Sequence, residues 1–194
     1  AGDCCSPTCQ LEPAGSLCAD GNPCTAPDTC SASACAGVVA PAAGCRAAAL
    51  GSLALRDLTP DTRDRLVWKW TQGAPTALAD FGDPASGATA YTLCLYDTVG
   101  STPGNRVRAA IPAGGLCRGR PCWRPRGTTG LRYANRDAAP NGVVKLVLEA
   151  GTGGAAGITL TAKGGNLAVP TLPLAQQPAV TIQLRRSDAA TCWE

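Results

Sequence analysis

The chain has no histidine and no methionine, a single phenylalanine (Phe81), and only 4% aromatic residues in all. Without histidine there is no Ser–His or Cys–His nucleophile system and no imidazole to ligate a metal. Charge is scarce too, at 16% of residues, and 17 Lys and Arg against 14 Asp and Glu leave a net charge of +3. The basic residues are scattered, so nucleic acid is not an expected partner. No apolar run is long enough to span a membrane. Low charge together with 23 Gly and 16 Pro argues against long helices and for short strands joined by tight turns.

Cysteine, by contrast, is abundant, with 12 residues in a chain of 194. Cys4, Cys5, Cys9, Cys18, Cys24, Cys30, Cys35 and Cys45 crowd the first segment, while Cys94, Cys117, Cys122 and Cys192 are spread through the rest. Both groups are even in number, so each is expected to close on itself as disulfides. The spacing C-C-x3-C-x8-C-x5-C-x5-C-x4-C-x9-C lacks the paired two-residue separations of zinc and iron–sulfur sites, which favours disulfides over metal. Thiols at this density imply an exported, extracellular or cell-surface protein. Ala1 opens a polar segment without a signal peptide, and the missing initiator Met fits a mature form cut from a precursor.

Residues 1–45 hold few aliphatics larger than Ala, namely Leu11, Leu17, Val38 and Val39. Such a segment cannot bury enough surface to offset its chain entropy unless it is cross-linked. It is therefore expected to be an irregular, turn-rich disulfide module, each bridge over a loop of about 15 residues contributing roughly 3 kcal/mol. The run from Cys4-Cys5-Ser6-Pro7-Thr8-Cys9-Gln10-Leu11 to Gly15-Ser16-Leu17-Cys18 resembles the later half of the disintegrin-like domain of reprolysin-type metalloproteases. With the following DGNPCT-x-x-DTC phrase it is also similar to cysteine-rich modules of large secreted bacterial proteins of unassigned role. In disintegrins an integrin-binding tripeptide follows the cysteine matching Cys18. Here that loop reads Ala19-Asp20-Gly21-Asn22-Pro23, without Arg-Gly-Asp, so the resemblance does not carry integrin binding with it. Asp20, Asn22 and Asp28 offer oxygen ligands around a glycine, the donor chemistry of Ca²⁺. A β-turn at Asp20-Gly21 and an Asx turn at Asp28 account for the same residues as structure. No other cofactor is expected.

The Ala/Gly/Pro-rich stretch from Val38 to Gly51 marks a boundary, with residues 46–55 expected as a linker and residues 56–194 as a second domain. Beyond Leu53 the pattern alternates. Leu66, Trp68 and Trp70 share one face of a strand, and Tyr91, Leu93 and Leu95 share one face of another. Further strands are predicted at 106–111, 131–134, 143–148, 158–163 and 180–185. Seven short strands punctuated by Gly, Pro and Asn-Gly turns predict an antiparallel β-sandwich or jelly roll, so the whole chain reads as mainly β. One helical turn is expected at Thr59-Pro60-Asp61, with Thr59 as its cap. Cys117 and Cys122 enclose only four residues and are expected to bridge locally, which leaves Cys94 to pair with Cys192.

Catalytic equipment is sparse. Asp80 and Asp83 are the best carboxylate pair for glycoside hydrolysis, although a capping Asp80 and a chain-turning Asp83-Pro84 explain them as structure. The densest basic stretch, Arg118, Arg120, Arg124 and Arg126, reads as a solvated loop or as a patch for an anion or polysaccharide. Trp123, next to Cys122, either covers the disulfide or contacts carbohydrate. The sequence thus points to a non-enzymatic, extracellular structural protein that assembles with itself, head-to-tail, into a surface layer, matrix or filament. A secreted carbohydrate- or protein-binding adhesion module, using Trp123, Arg118, Arg120 and Arg124, is the alternative.

Overall fold

A computed structural model describes residues 4–5, 10–25, 27–100, 102–177 and 179–194, apart from the side chains of Thr102 and Pro103. The protein is mainly β, with antiparallel sheets throughout. A small hairpin, β1 (Asp28–Ser31) and β2 (Ala34–Gly37), lies in the N-terminal module. The chain then runs into β3 (Ala48–Arg56), β4 (Arg65–Gly73), β5 (Tyr91–Val99) and β6 (Thr102–Ile111). Two short pairs of residues, β7 (Leu116–Cys117) and β8 (Arg120–Pro121), form the disulfide loop. After them come β9 (Trp123–Arg126), β10 (Gly130–Ala134), β11 (Val143–Glu149), β12 (Ala156–Lys163), β13 (Thr181–Arg186) and β14 (Cys192–Trp193).

Two sheets make the sandwich: a six-stranded one ordered β3-β4-β12-β11-β10-β9, and a four-stranded one ordered β14-β13-β5-β6. Leu66, Trp68 and Trp70 pair across the ladder with Ala162, Leu160 and Ile158, so all six project into the core. Tyr91, Leu93 and Leu95 meet them from the other sheet, beside Val107, Ala109 and Leu184.

The expected linker is corrected: residues 48–56 form the nine-residue edge strand β3, paired along its length with β4. Its Ala, Gly and Ser residues suggested a spacer. Leu53 and Leu55 nonetheless alternate and pack on the core, and an edge strand needs a partner on one side only. The helical turn lies at Asp61–Arg63, with Pro60 rather than Thr59 at its cap position and no side-chain capping bond.

The disulfide pairing also departs from expectation. Within the module Cys4 bridges Cys30 and Cys18 bridges Cys35. Cys24, however, bridges Cys94, and Cys45 bridges Cys192, so the Cys94–Cys192 pairing is corrected and the first group does not close on itself. The physical reason is docking. The module lies on the outer face of the four-stranded sheet, where Cys24, Cys94, Tyr96 and Val39 form a second small core. There the Tyr96 hydroxyl donates to the Cys24 carbonyl at 3.0 Å. Gln183, fully buried, accepts from the Ala42 N–H and donates to the Ala42 carbonyl, both at 2.9 Å. Arg46 then runs parallel beside Trp193, its N–H donating to the Cys192 carbonyl at 2.9 Å, which carries Cys45 to Cys192. Cys117 bridges Cys122. Cys5 pairs its backbone with Leu11, and Cys9 lies outside the described residues.

One face of the sandwich is thus covered by the module. Among the described residues no element covers the outer face of the six-stranded sheet.

Candidate functional site

The β9–β10 hairpin organises the site. Trp123 pairs with Tyr133 and Leu131 with Pro125; Trp123 and Tyr133 are buried on the inner face, while Pro125 is exposed. Trp123 is 2% exposed, its ring centroid 5.6 Å from Tyr91 and 5.2 Å from Tyr133. Its indole N–H donates to the Pro112 carbonyl at 2.8 Å. The expectation of a ligand contact at Trp123 is therefore corrected: the ring is a pillar under the hairpin and has no free face. The same holds for the other tryptophans, for the three tyrosines and for Phe81, every one of them buried. None of these rings therefore presents an exposed face on which a sugar or a base could stack in this structure.

Alternation sends the intervening residues outward. Arg124 stands directly opposite Arg132, and Arg126 opposite Gly130. Beyond Gly130 in the same row lies Glu149, whose carboxylate pairs with the Arg126 guanidinium across the glycine. A side chain at residue 130 would intrude on this row, since a Cβ there would lie 2.9 Å from the Leu148 carbonyl oxygen. The Cys117–Cys122 loop adds Arg118 and Arg120, with Arg118 and Gly119 both at positive φ. Arg118 is held by Asp137, Nη2 to Oδ1 at 2.7 Å, and this hydrogen bond raises its pKa further. Arg136 closes the ring. The result is a cleft of about 520 Å³, floored by the Cys117–Cys122 bridge, Pro125 and Ala134, and walled by six arginines: 118, 120, 124, 126, 132 and 136.

Only Arg118 and Arg126 of these six have an ion-pair partner among the described residues. Like charges directly across a ladder are unfavourable. Water screens them here, because Arg124 and Arg132 are exposed. An anion between them would turn that repulsion into attraction, and guanidinium forks match carboxylate, sulfate and phosphate oxygens bidentately.

The sequence brought Arg118, Arg120, Arg124 and Arg126 together but not Arg132 and Arg136. The signal was present: Trp-Arg-Pro-Arg, a short turn, then Leu-Arg-Tyr is a hairpin whose inward residues match. Pro125 hid the first strand, being a residue that a ladder tolerates at its edge, and β9 is an edge strand.

The Asp20 loop is a tightly bonded turn. The Asp20 carboxylate accepts from the Asn22 N–H at 2.7 Å and the Gly37 N–H at 3.1 Å, and lies 3.0 Å from the Thr25 hydroxyl. Burial opposes its charge, and these hydrogen bonds offset that and hold its pKa below the usual carboxylate value. Asn22 accepts from the Cys24 N–H at 3.1 Å, and Asp28 accepts from the Asp20 N–H at 3.1 Å. The other Asp28 oxygen is buried with no hydrogen-bond partner among the described residues. Gly37 is required here, since a Cβ would lie 2.2 Å from that oxygen. Asp20 and Asn22 thus spend their oxygens on chain donors, and the residues read as Ca²⁺ ligands form an Asx-type turn network.

Asp80 and Asp83 sit in separate structural bonds. Asp80 accepts from Arg46 at 2.7 Å and from the Ala77 N–H at 2.7 Å, and both bonds lower its pKa. Asp83 accepts from the Ser86 N–H at 3.0 Å, which lowers its pKa as well. Neither carboxyl is raised towards the range of a general acid. The sulfurs of Cys4, Cys18 and Cys35 gather within 4.8 Å of one another, and all three belong to disulfides.

Among the described residues no helix is long and apolar enough to cross a membrane. Comparison with protein-family models, curated proteins and solved structures finds no match for this chain.

Proposed function

We propose that this chain is a non-enzymatic extracellular module that binds an acidic glycan through the arginine cleft. One observation carries the reading: six arginines from β7 to β10 and the turns beside them wall a single cleft, and four of them have no acidic partner among the described residues. Arginine without lysine suits bidentate recognition of carboxylate and sulfate oxygens. The five disulfides among the described residues fit a chain that works outside the reducing cytosol. The test is calorimetric titration of the oxidised protein with heparin, a sulfated glycan, and with polygalacturonate, a carboxylated one. The double substitution Arg124→Ser/Arg132→Ser is expected to weaken binding about tenfold or more, the loss of roughly one charge-assisted hydrogen bond or beyond. Unchanged affinity in a variant with native unfolding behaviour contradicts the proposal.

A second reading, a structural subunit of a surface layer, matrix or filament, draws on β3. This edge strand is nine residues long, exposed along most of its length, and carries a charge only at Arg56. Long, uncharged edges invite strand addition by another chain. Light scattering across concentration tests it, with Leu50→Asp expected to abolish any self-association. A strictly monomeric wild-type protein refutes it.

A further inference from the structure

The arginine cleft occupies one end of a larger surface. Reading the ladder registers across the six-stranded sheet, the outward positions form rows. One row is Ser52, Lys69, Thr159, Val147, Arg132 and Arg124. At one side of the sheet Arg56, Arg65 and Lys163 stand adjacent in another row. Lys145 lies between the two ends, opposite Thr161. All of these cations are exposed, and the only carboxylate among the paired outward positions is Glu149, already taken by Arg126. Among the described residues none of Arg56, Arg65, Lys69 or Lys163 forms an ion pair, although Asp57 and Asp61 follow in the adjoining loop. A groove of about 380 Å³ runs between β3 and β4 at this end, lined by Ser52, Ala54, Arg56, Arg65, Val67 and Lys69. The path between the two ends is paved with small or uncharged side chains, namely Thr159, Thr161 and Val147.

We infer that Arg56, Arg65, Lys69 and Lys163 form a second cationic subsite that acts with the arginine cleft on one linear anionic polysaccharide lying across the strands. The inference rests on the anion-binding reading above and adds the class of ligand: a polymer rather than a small anion. Strands lie about 4.8 Å apart, so the five steps from β9 to β3 span about 24 Å, the reach from the far side of one subsite to the far side of the other. A ligand long enough to reach both gains from the effective concentration of its second contact, and a shorter one does not. A flat lipid surface fits less well, because the face has no exposed aromatic and its one large exposed aliphatic among the paired outward positions, Leu50, sits on the edge strand β3.

The test is a length series of heparin oligosaccharides, from disaccharide to dodecasaccharide, titrated calorimetrically into the wild type and into Arg56→Ser/Arg65→Ser/Lys163→Ser. Lys69→Ser serves as a second, milder variant, and thermal unfolding confirms that each folds. The wild type is expected to gain about tenfold or more in affinity once the ligand exceeds about 24 Å. The triple variant should lose that gain and keep its affinity for short ligands within about twofold, since the cleft is untouched. A rise with length no steeper than the number of binding frames on the oligomer overturns this inference and leaves the cleft reading intact. Equal loss for short and long ligands in the variants also overturns it. If no oligosaccharide binds at all, both readings fall. Phosphatidylglycerol vesicles that bind more tightly than the longest oligosaccharide, and displace it, would assign the face to lipid and overturn it too.

Discussion

Arg124 and Arg132 face each other across the β9–β10 ladder because Trp123 and Tyr133, one residue away, must face inward. Burial of the tryptophan dictates the direction of the charge beside it. Truncating this pillar is therefore expected to damage the fold before it touches binding: Trp123→Ala should cost about 3–5 kcal/mol in urea unfolding. Trp123→Phe, which keeps most of the packing, should bind heparin within about twofold of wild type. If Trp123→Phe folds natively and binding collapses, the indole is a ligand contact after all.

A second residue-scale expectation concerns acid. Asp188 accepts from Arg186, at 2.9 Å, and from the Thr89 hydroxyl, at 2.7 Å, and its pKa falls from 3.8 to about 2. A depressed carboxyl stabilises the folded state above its unfolded pKa and loses that contribution as pH falls through the folded one. Wild type and Asp188→Asn should thus differ in urea midpoint at pH 5 and converge as the pH drops from about 4 to about 2. A constant gap down to pH 2 contradicts the assignment.

At the scale of elements, the strands with two large apolar residues on one face were legible. Leu66, Trp68 and Trp70 and the Tyr91, Leu93, Leu95 set lie where alternation puts them. β5 is nevertheless buried on both faces, because the module covers Cys94 and Tyr96. That covering is a tertiary event with no periodic signature, and it is also what defeated the disulfide assignment. Grouping cysteines by position along the chain assumes that each segment closes alone, whereas docking brings Cys24 to Cys94 across 70 residues and Cys45 to Cys192 across 147. β3 was missed for a different reason: its Ala, Gly and Ser residues carry the composition of a spacer, and only Leu53 and Leu55 mark the buried side. The long crosslinks should matter for stability. Cys24→Ala/Cys94→Ala removes a bridge worth about 4 kcal/mol in the chain-entropy model and should lower the thermal midpoint markedly. An unchanged midpoint would mean that the Tyr96 and Gln183 hydrogen bonds hold the module in place without the bridge.

The whole molecule is a layered arrangement with unequal faces. The module seals the four-stranded sheet, and the six-stranded sheet presents a basic, aromatic-free surface to solvent. A net charge of only +3 conceals this, because many of the acidic residues lie elsewhere: Glu12, Asp20 and Asp28 in the module, Asp80, Asp83, Asp97 and Asp188 around the other sheet and the loops. Arginines at 118, 120, 124 and 126 were visible as a cluster in the sequence. Arg56, Arg65, Lys69 and Lys163 were not, since only strand pairing brings them onto the same face. Binding through such a surface should be strongly salt-dependent, as counterions are released from the polyanion. Raising salt from 50 to 200 mM is expected to weaken heparin binding by about tenfold or more. Insensitivity to salt would point to contacts other than these charges.

The most direct measurement is backbone amide shift mapping of the oxidised, ¹⁵N-labelled protein during titration with a heparin oligosaccharide. Perturbations are expected on β9, β10 and the Cys117–Cys122 loop, extending across β11 and β12 to β4, with the N-terminal module and β6 unchanged. Perturbations centred on the Asp20 loop or on the four-stranded sheet, with the arginine cleft silent, would contradict it.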